Sequence, residues 1–207
     1  MKLYTYDPAP NPRRLALFLK HKGVAIASHQ IDLLKGGQFE ESFLRLNPRA
    51  TVPTLILDDG SVLADTLAIC FYLDTHHEGI SLFGQTELEK AQVLGMCHRI
   101  FSDGFIPVAE ILRNTHPNYA NKALPGTDPV AQIPALAERG GQRIERFFTD
   151  MDTWLSSRQF LVGTQLSQAD IDLLVVVDFA GWVKRRPPAS CTALAAYLSQ
   201  VRELLGE

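Results

Sequence analysis

The segment Arg49-Ala50-Thr51-Val52-Pro53-Thr54 constrains this chain more than any other. Its proline stands at the mouth of the apolar run Thr54-Leu55-Ile56-Leu57. Proline lacks an N–H and enters a sheet only at the start of a strand or on an edge, so a strand is expected to begin beside Pro53. A cis peptide there would leave the N–H and C=O of Val52 outside the ladder, free to pair with an extended ligand backbone. Ten positions after Thr54 the chain reads Ala64-Asp65-Thr66-Leu67-Ala68-Ile69, a carboxylate and a hydroxyl opening a helical apolar pattern. The first N–H groups of a helix lack partners and favour an anion. Together the two segments read as a clamp for a small peptide that carries both an amine and a carboxylate. The alternative is that Asp65 and Thr66 only cap their helix.

The pattern around the clamp predicts a thioredoxin-like α/β domain over residues 1–78. Residues 2–6 form a strand. Asn11-Pro12 opens a helix, with Asn11 as cap and Gly23 as left-handed stop. A second strand covers 26–31 and a helical patch 40–46. Asp58-Asp59-Gly60 joins two strands as a hairpin, and a helix runs from Thr66 to His76. Residues 79–86 read as a linker. An all-helical domain follows over 87–207, opened by the capping box Thr86-Glu87-Leu88-Glu89. Its first long helix runs to about Asn114 and is kinked at Pro107, residues 116–128 are loop, and a second helix spans 129–156. Ser167 and Asp170 cap a central apolar helix over 168–184, and the last helix covers 192–205.

The chain has 207 residues, 46% of them hydrophobic, which is enough for a sizeable core. Its 20 basic and 23 acidic residues are interspersed, so no basic stripe supports nucleic-acid binding. The longest apolar stretch, Leu173 to Val183, contains Asp178 and is too short to cross a bilayer. No terminal signal pattern is seen, so the expected location is the cytoplasm. Cys70, Cys97 and Cys191 make neither a disulfide framework nor a metal signature, and no metal is expected.

Over nearly its whole length the chain resembles the soluble glutathione transferases. The resemblance rests on Lys2-Leu3-Tyr4, Lys22-Gly23, Asp32-Leu33-Leu34-Lys35-Gly36, Phe43-Leu44, Asn47-Pro48, Thr51-Val52-Pro53-Thr54-Leu55, Leu63 to Ile69 with Tyr72-Leu73, and Ser167-Gln168-Ala169-Asp170-Ile171. It implies that glutathione is the co-substrate. Asp65 would then meet the ligand amine, Thr66 the γ-glutamyl carboxylate, and the backbone of Val52 before Pro53 the cysteinyl backbone. Gln38 would meet the glycyl carboxylate, and Lys35, on the same loop, is a candidate to add charge there. The same resemblance places Ala9 where relatives carry a thiol-activating serine or cysteine, which excludes a mixed disulfide with the protein. It is closest to a bacterial and fungal subgroup that lacks the usual tyrosine, serine or cysteine.

The ligand thiol must become a thiolate to attack, and a free thiol titrates near ~8.5. Candidates to assist are the N–H groups of the first helix, the Asn11 amide and the Tyr6 phenol. The subgroup resemblance also implies a bound water held by Arg113, Asn114, His116 or Tyr119, of which His116 is the sharpest candidate. Each has a plainer reading: Asn11 as a cap, Tyr6 as a strand-end aromatic, His116 as a loop residue. Phe105, Leu112, Arg113, Asn114 and Tyr119 are candidates to line the site of a small hydrophobic electrophile, with core packing as the alternative for Phe105. The implied function is a transferase of alkyl or aryl groups to glutathione, with a role in detoxification. The same half-site would serve a glutathione-dependent peroxidase or isomerase, and the same fold a non-enzymatic ligand carrier or partner-binding module. Relatives form two-fold dimers, and a homodimer is expected here, with Phe39, Cys70 and Arg99 near its contact faces.

Overall fold

The computed structural model describes residues 1–207, which divide into two compact units. One comprises Met1–Gly79 with Leu124–Val130, the other Ile80–Ala123 with Ala131–Glu207.

The first unit is thioredoxin-like. Its four strands are β1 (Lys2–Thr5), β2 (Ser28–Gln30), β3 (Thr54–Ile56) and β4 (Val62–Leu63), in the order β2-β1-β3-β4. β1 runs parallel to β2 and antiparallel to β3, and β4 closes an antiparallel hairpin on β3. Three helices belong to it: α1 (Pro10–Lys22), α2 (Glu41–Leu44) and α3 (Thr66–His76). Alternation along β1 sends Leu3 to one face and Tyr4 to the other. Tyr4 packs against Phe43 of α2 with ring centroids 5.9 Å apart, in a cluster with Ile31, Val52 and Tyr6. Leu15, Leu17 and Phe18 of α1 and Ile69, Cys70 and Leu73 of α3 are buried. Lys22 and Asp74 near the far ends of these helices pair at 3.1 Å with both side chains 3% exposed.

The helix α1 begins at Pro10, not at Asn11-Pro12 as the sequence suggested. Ala9 is its cap, extended at φ −80 and ψ 146 as a residue before proline prefers, and it offers no side-chain bond. Both prolines suit a first turn, and the chain uses the earlier one.

The second unit is all-helical: α4 (Glu87–Ile100), α5 (Ile106–Thr115), α6 (Pro134–Leu155), α7 (Gln168–Trp182) and α8 (Thr192–Leu205). Within residues 79–86, read as a linker, Leu82 and Phe83 are buried to 1% exposure, and the Gln168 N–H bonds the Leu82 carbonyl at 2.8 Å. The kink expected at Pro107 is a wider π-type turn over Phe101–Phe105. In that register the Ser102 carbonyl would need the N–H that Pro107 lacks, and Arg143 Nη2 supplies the bond at 2.6 Å. Gly140 permits this contact between helices, since a Cβ there would lie 2.7 Å from the Pro107 carbonyl oxygen.

The capping boxes at Thr86 and Ser167 form as expected. Asp170, fully buried, accepts from the N–H of Leu161 and Ser167 and from the hydroxyls of Ser167 and Tyr197. Burial pushes its carboxyl above the usual range, and these donors pull the other way. No helix is long and apolar enough to cross a membrane.

Candidate functional site

Sheet topology alone gathers the first unit's candidates. β1 ends at Thr5 and leads to Tyr6, Ala9 and Asn11; β2, parallel to it, ends at Gln30 and leads to Lys35 and Gln38. β3 runs the opposite way, so Val52 and Pro53 precede it at that same end. β4 runs back again and delivers Asp65 and Thr66. Continuing the pairing Leu55↔Leu63 sets Pro53 across from Asp65 and Val52 across from Thr66. Continuing Tyr4↔Thr54 sets Val52 across from Tyr6 on its other side. One end of one sheet therefore carries all nine of these residues.

The Val52–Pro53 peptide is cis. Val52 is 8% exposed and packs its side chain on Ile31 and Phe43, while its N–H and C=O take part in no intramolecular hydrogen bond shown by the structure. The loop before it turns through Ala50 at φ 52, a left-handed conformation that costs a non-glycine residue on the order of 1 kcal/mol. Asn47, buried beneath, bonds Thr51 and Thr54.

Asp65 caps α3: its Oδ1 accepts from the Leu67 N–H at 2.9 Å and the Ala68 N–H at 3.3 Å. The capping reading is therefore true, and it uses one oxygen only. Oδ2 makes no bond, the side chain is exposed, and the Thr66 N–H is left over in the same turn. Thr66 itself is 4% exposed. Gln38 follows Gly36, which stands at φ 78. Its Oε1 is buried without a partner, and its amide NH2 is a donor. Lys35 extends into solvent, its side chain 85% exposed, with Asp32 at 3.5 Å.

The first turn of α1 is short of donors. Pro10 and Pro12 have none, the Ala9 N–H bonds the Tyr6 carbonyl at 2.9 Å, and the Arg13 N–H begins the helix by bonding Ala9. The array of N–H groups expected at this helix start is thus reduced to one, that of Asn11. The Asn11 side chain accepts from Arg14 Nη1 through Oδ1 at 3.0 Å, so its NH2 is the free end. Nothing in the sequence but the i,i+3 spacing of Asn11 and Arg14 signals this. Tyr6 packs into the Val52 cluster.

The helical unit places its candidates differently. Phe105 is 5% exposed and its ring lies 6.3 Å from that of Phe179, so it is a core residue and offers a substrate little surface. Asn114 is 6% exposed and spends both ends of its amide, donating to the Glu110 carbonyl at 2.8 Å and accepting from the Ile133 N–H at 2.8 Å. Both ends of the amide are thus engaged within the helical unit, where the sequence suggested a substrate contact. Arg113 donates to the Lys122 carbonyl at 2.9 Å and lies 4.9 Å from the Tyr119 ring. Burial lowers its pKa, and the guanidinium stays charged. His116 Nδ1 accepts from the Asn118 N–H at 3.3 Å, leaving Nε2 as the protonated, exposed nitrogen. Leu112 and Tyr119 are partly exposed.

Comparison with known proteins agrees with this architecture. Residues 9–76 match the family model described as glutathione S-transferase, N-terminal domain. Glutathione S-transferase 2 of Saccharomyces cerevisiae is 30% identical over 208 residues, covering 98% of this chain and 86% of the relative. A glutathione S-transferase domain-containing protein of Marinobacter aquaeolei VT8 superposes with a TM-score of 0.90 at 28% identity, over 98% of this chain and 97% of that one. Gtt2 of Saccharomyces cerevisiae gives a TM-score of 0.89 at 28% identity, over 98% of this chain and 96% of its own. The chain belongs to the glutathione S-transferase family.

Proposed function

We propose that the protein binds glutathione at the β3–α3 end of its first unit and conjugates the glutathione thiol to a small apolar electrophile. The observation that carries this reading is the set of unspent polar groups at one end of the sheet: the N–H and C=O of Val52, the Thr66 N–H and Asp65 Oδ2. Their chemistry matches a γ-linked tripeptide. An extended cysteinyl backbone pairs with Val52 as an added strand would. The α-amine meets the Asp65 carboxylate, and the α-carboxylate meets the N-terminus of α3, where the helix dipole favours it. The Gln38 NH2 and Lys35 meet the glycyl carboxylate.

In this reading Asn11 holds the thiolate. Its backbone N–H and its Arg14-oriented NH2 are two donors on one residue, at a helix start that has no others. Donation to the charged form lowers the thiol pKa, releases its proton to solvent and raises the fraction of nucleophile. Sulfur then forms a bond to the electrophilic carbon as the leaving group departs with the bonding pair. Leu112, Arg113 and Tyr119 are the remaining candidates for the acceptor side, and His116 Nε2 is the second candidate to assist the thiol through a water. The protein acts as a cytoplasmic homodimer in this reading.

Retention on immobilised glutathione, followed by titration of thiolate absorbance in the complex, tests the proposal. Retention with a thiol pKa below that of free glutathione is expected. Absence of retention moves the protein to the carrier or partner-binding class. Retention with turnover of hydroperoxides or of isomerisable double bonds, and none of alkyl or aryl halides, makes it a peroxidase or isomerase on the same site.

A further inference from the structure

Asn47 lies under the loop that leads to Pro53, 2% exposed. Its Nδ2 donates to the Thr51 carbonyl and hydroxyl, each at 2.9 Å, and to the Thr54 hydroxyl at 3.1 Å. One NH2 thus serves three oxygens, and Oδ1 accepts from the Arg49 N–H at 3.1 Å, so the amide has a single allowed orientation. The Thr54 hydroxyl in turn donates to the Thr51 carbonyl at 3.0 Å. The Asn47 backbone carbonyl accepts from the Ala50 N–H at 3.0 Å, closing the turn in which Ala50 is left-handed. The network grips Thr51 and Thr54, the residues on either side of Val52-Pro53, and touches neither polar group of Val52.

A strand-like ligand contact needs both groups of Val52 aimed within the narrow angular range of a good hydrogen bond. A loop free to turn would lose that aim and would spend binding energy on ordering itself. We infer that Asn47 is the positioning residue of the ligand-backbone edge: through Thr51 and Thr54 its buried amide fixes the direction of the Val52 N–H and C=O, and so sets affinity for the cysteinyl backbone of glutathione without touching it. The inference rests on the glutathione reading above and adds a determinant of that site.

The test is a comparison of wild type, Asn47→Asp and Thr54→Val by calorimetric binding of glutathione and by steady-state kinetics. Asn47→Asp keeps the acceptor for Arg49 and replaces the donor by a carboxylate facing the Thr51 carbonyl. It should raise Kd and KM for glutathione about tenfold while kcat changes less than about threefold. Thr54→Val removes one hydroxyl from the network and should raise both about threefold. If Asn47→Asp does not fold, Thr54→Val decides alone by the same criterion. A destabilised control in the helical unit, Ile144→Val, should lower the melting temperature and leave Kd unchanged. Folded variants that bind glutathione as the wild type does, or that lose kcat at unchanged KM, overturn the inference and leave the glutathione reading standing. A wild-type protein that does not bind glutathione overturns both.

Discussion

The loop and helix start around Val52 and Asp65 and the segment around Arg113 to Tyr119 carry similar polar residues, and the structure spends them in opposite ways. In the helical unit the Asn114 amide is consumed at both ends, Arg113 is tied to the Lys122 carbonyl, and His116 caps the turn at Asn118. In the thioredoxin-like unit, Asn47 is consumed just as fully, but its neighbours Val52, Asp65 and Thr66 keep groups unused. Buried polar groups in a folded chain are nearly always paired. A place where backbone groups go unpaired beside a fully paired network is therefore where a ligand is expected.

The sharpest test of that contrast is Asp65. Asp65→Ala should weaken glutathione binding by about 1–3 kcal/mol and cost about 1 kcal/mol of stability through the lost cap. Asp65→Asn should keep the cap and lose the charge, so calorimetry should show the binding loss with little change in melting. A dissociation constant unchanged from wild type in both variants would remove Asp65 from the site. Asn114→Ala should do the reverse: denaturant unfolding should show a loss of about 1–3 kcal/mol from the unpaired Ile133 N–H, with glutathione affinity unchanged. A lost affinity there would break the comparison.

Asn11→Asp replaces the free NH2 by a carboxylate, and thiolate absorbance of the bound glutathione should show the thiol pKa raised by about one unit. His116→Gln should leave that titration in place. The opposite result would transfer thiol activation to the helical unit. Ala9→Ser should raise stability by about 0.5–1 kcal/mol, since serine at a cap can bond the Asn11 N–H. Lys35→Ala should have the smallest effect, about 0.2–1 kcal/mol in affinity, and it should vanish in high salt because the ammonium is exposed.

Several elements were legible residue by residue. α3 and α8 span the predicted Thr66–His76 and Thr192–Leu205, and both capping boxes are present. These are local signals, a cap followed by apolar periodicity. The starts of α1 and α6 were misread for one reason: each has two prolines that suit a first turn. Pro10 was preferred over Pro12, and Pro134 over Pro129. At α6 the choice follows a partner nineteen residues away, the Asn114 amide that takes the Ile133 N–H.

By itself the sequence determined the fold class and the residue types of the clamp, because proline's missing N–H and a carboxylate before a helix act through the nearest few bonds. Only the tertiary structure decided which polar groups stayed free. Asn114 and Asn11 are the same side chain, yet one is closed by Glu110 and Ile133 and the other is opened as a donor by Arg14. A hydrogen-bond partner is a matter of which segments meet in space, and an amide's chemistry is set by the partner it already has.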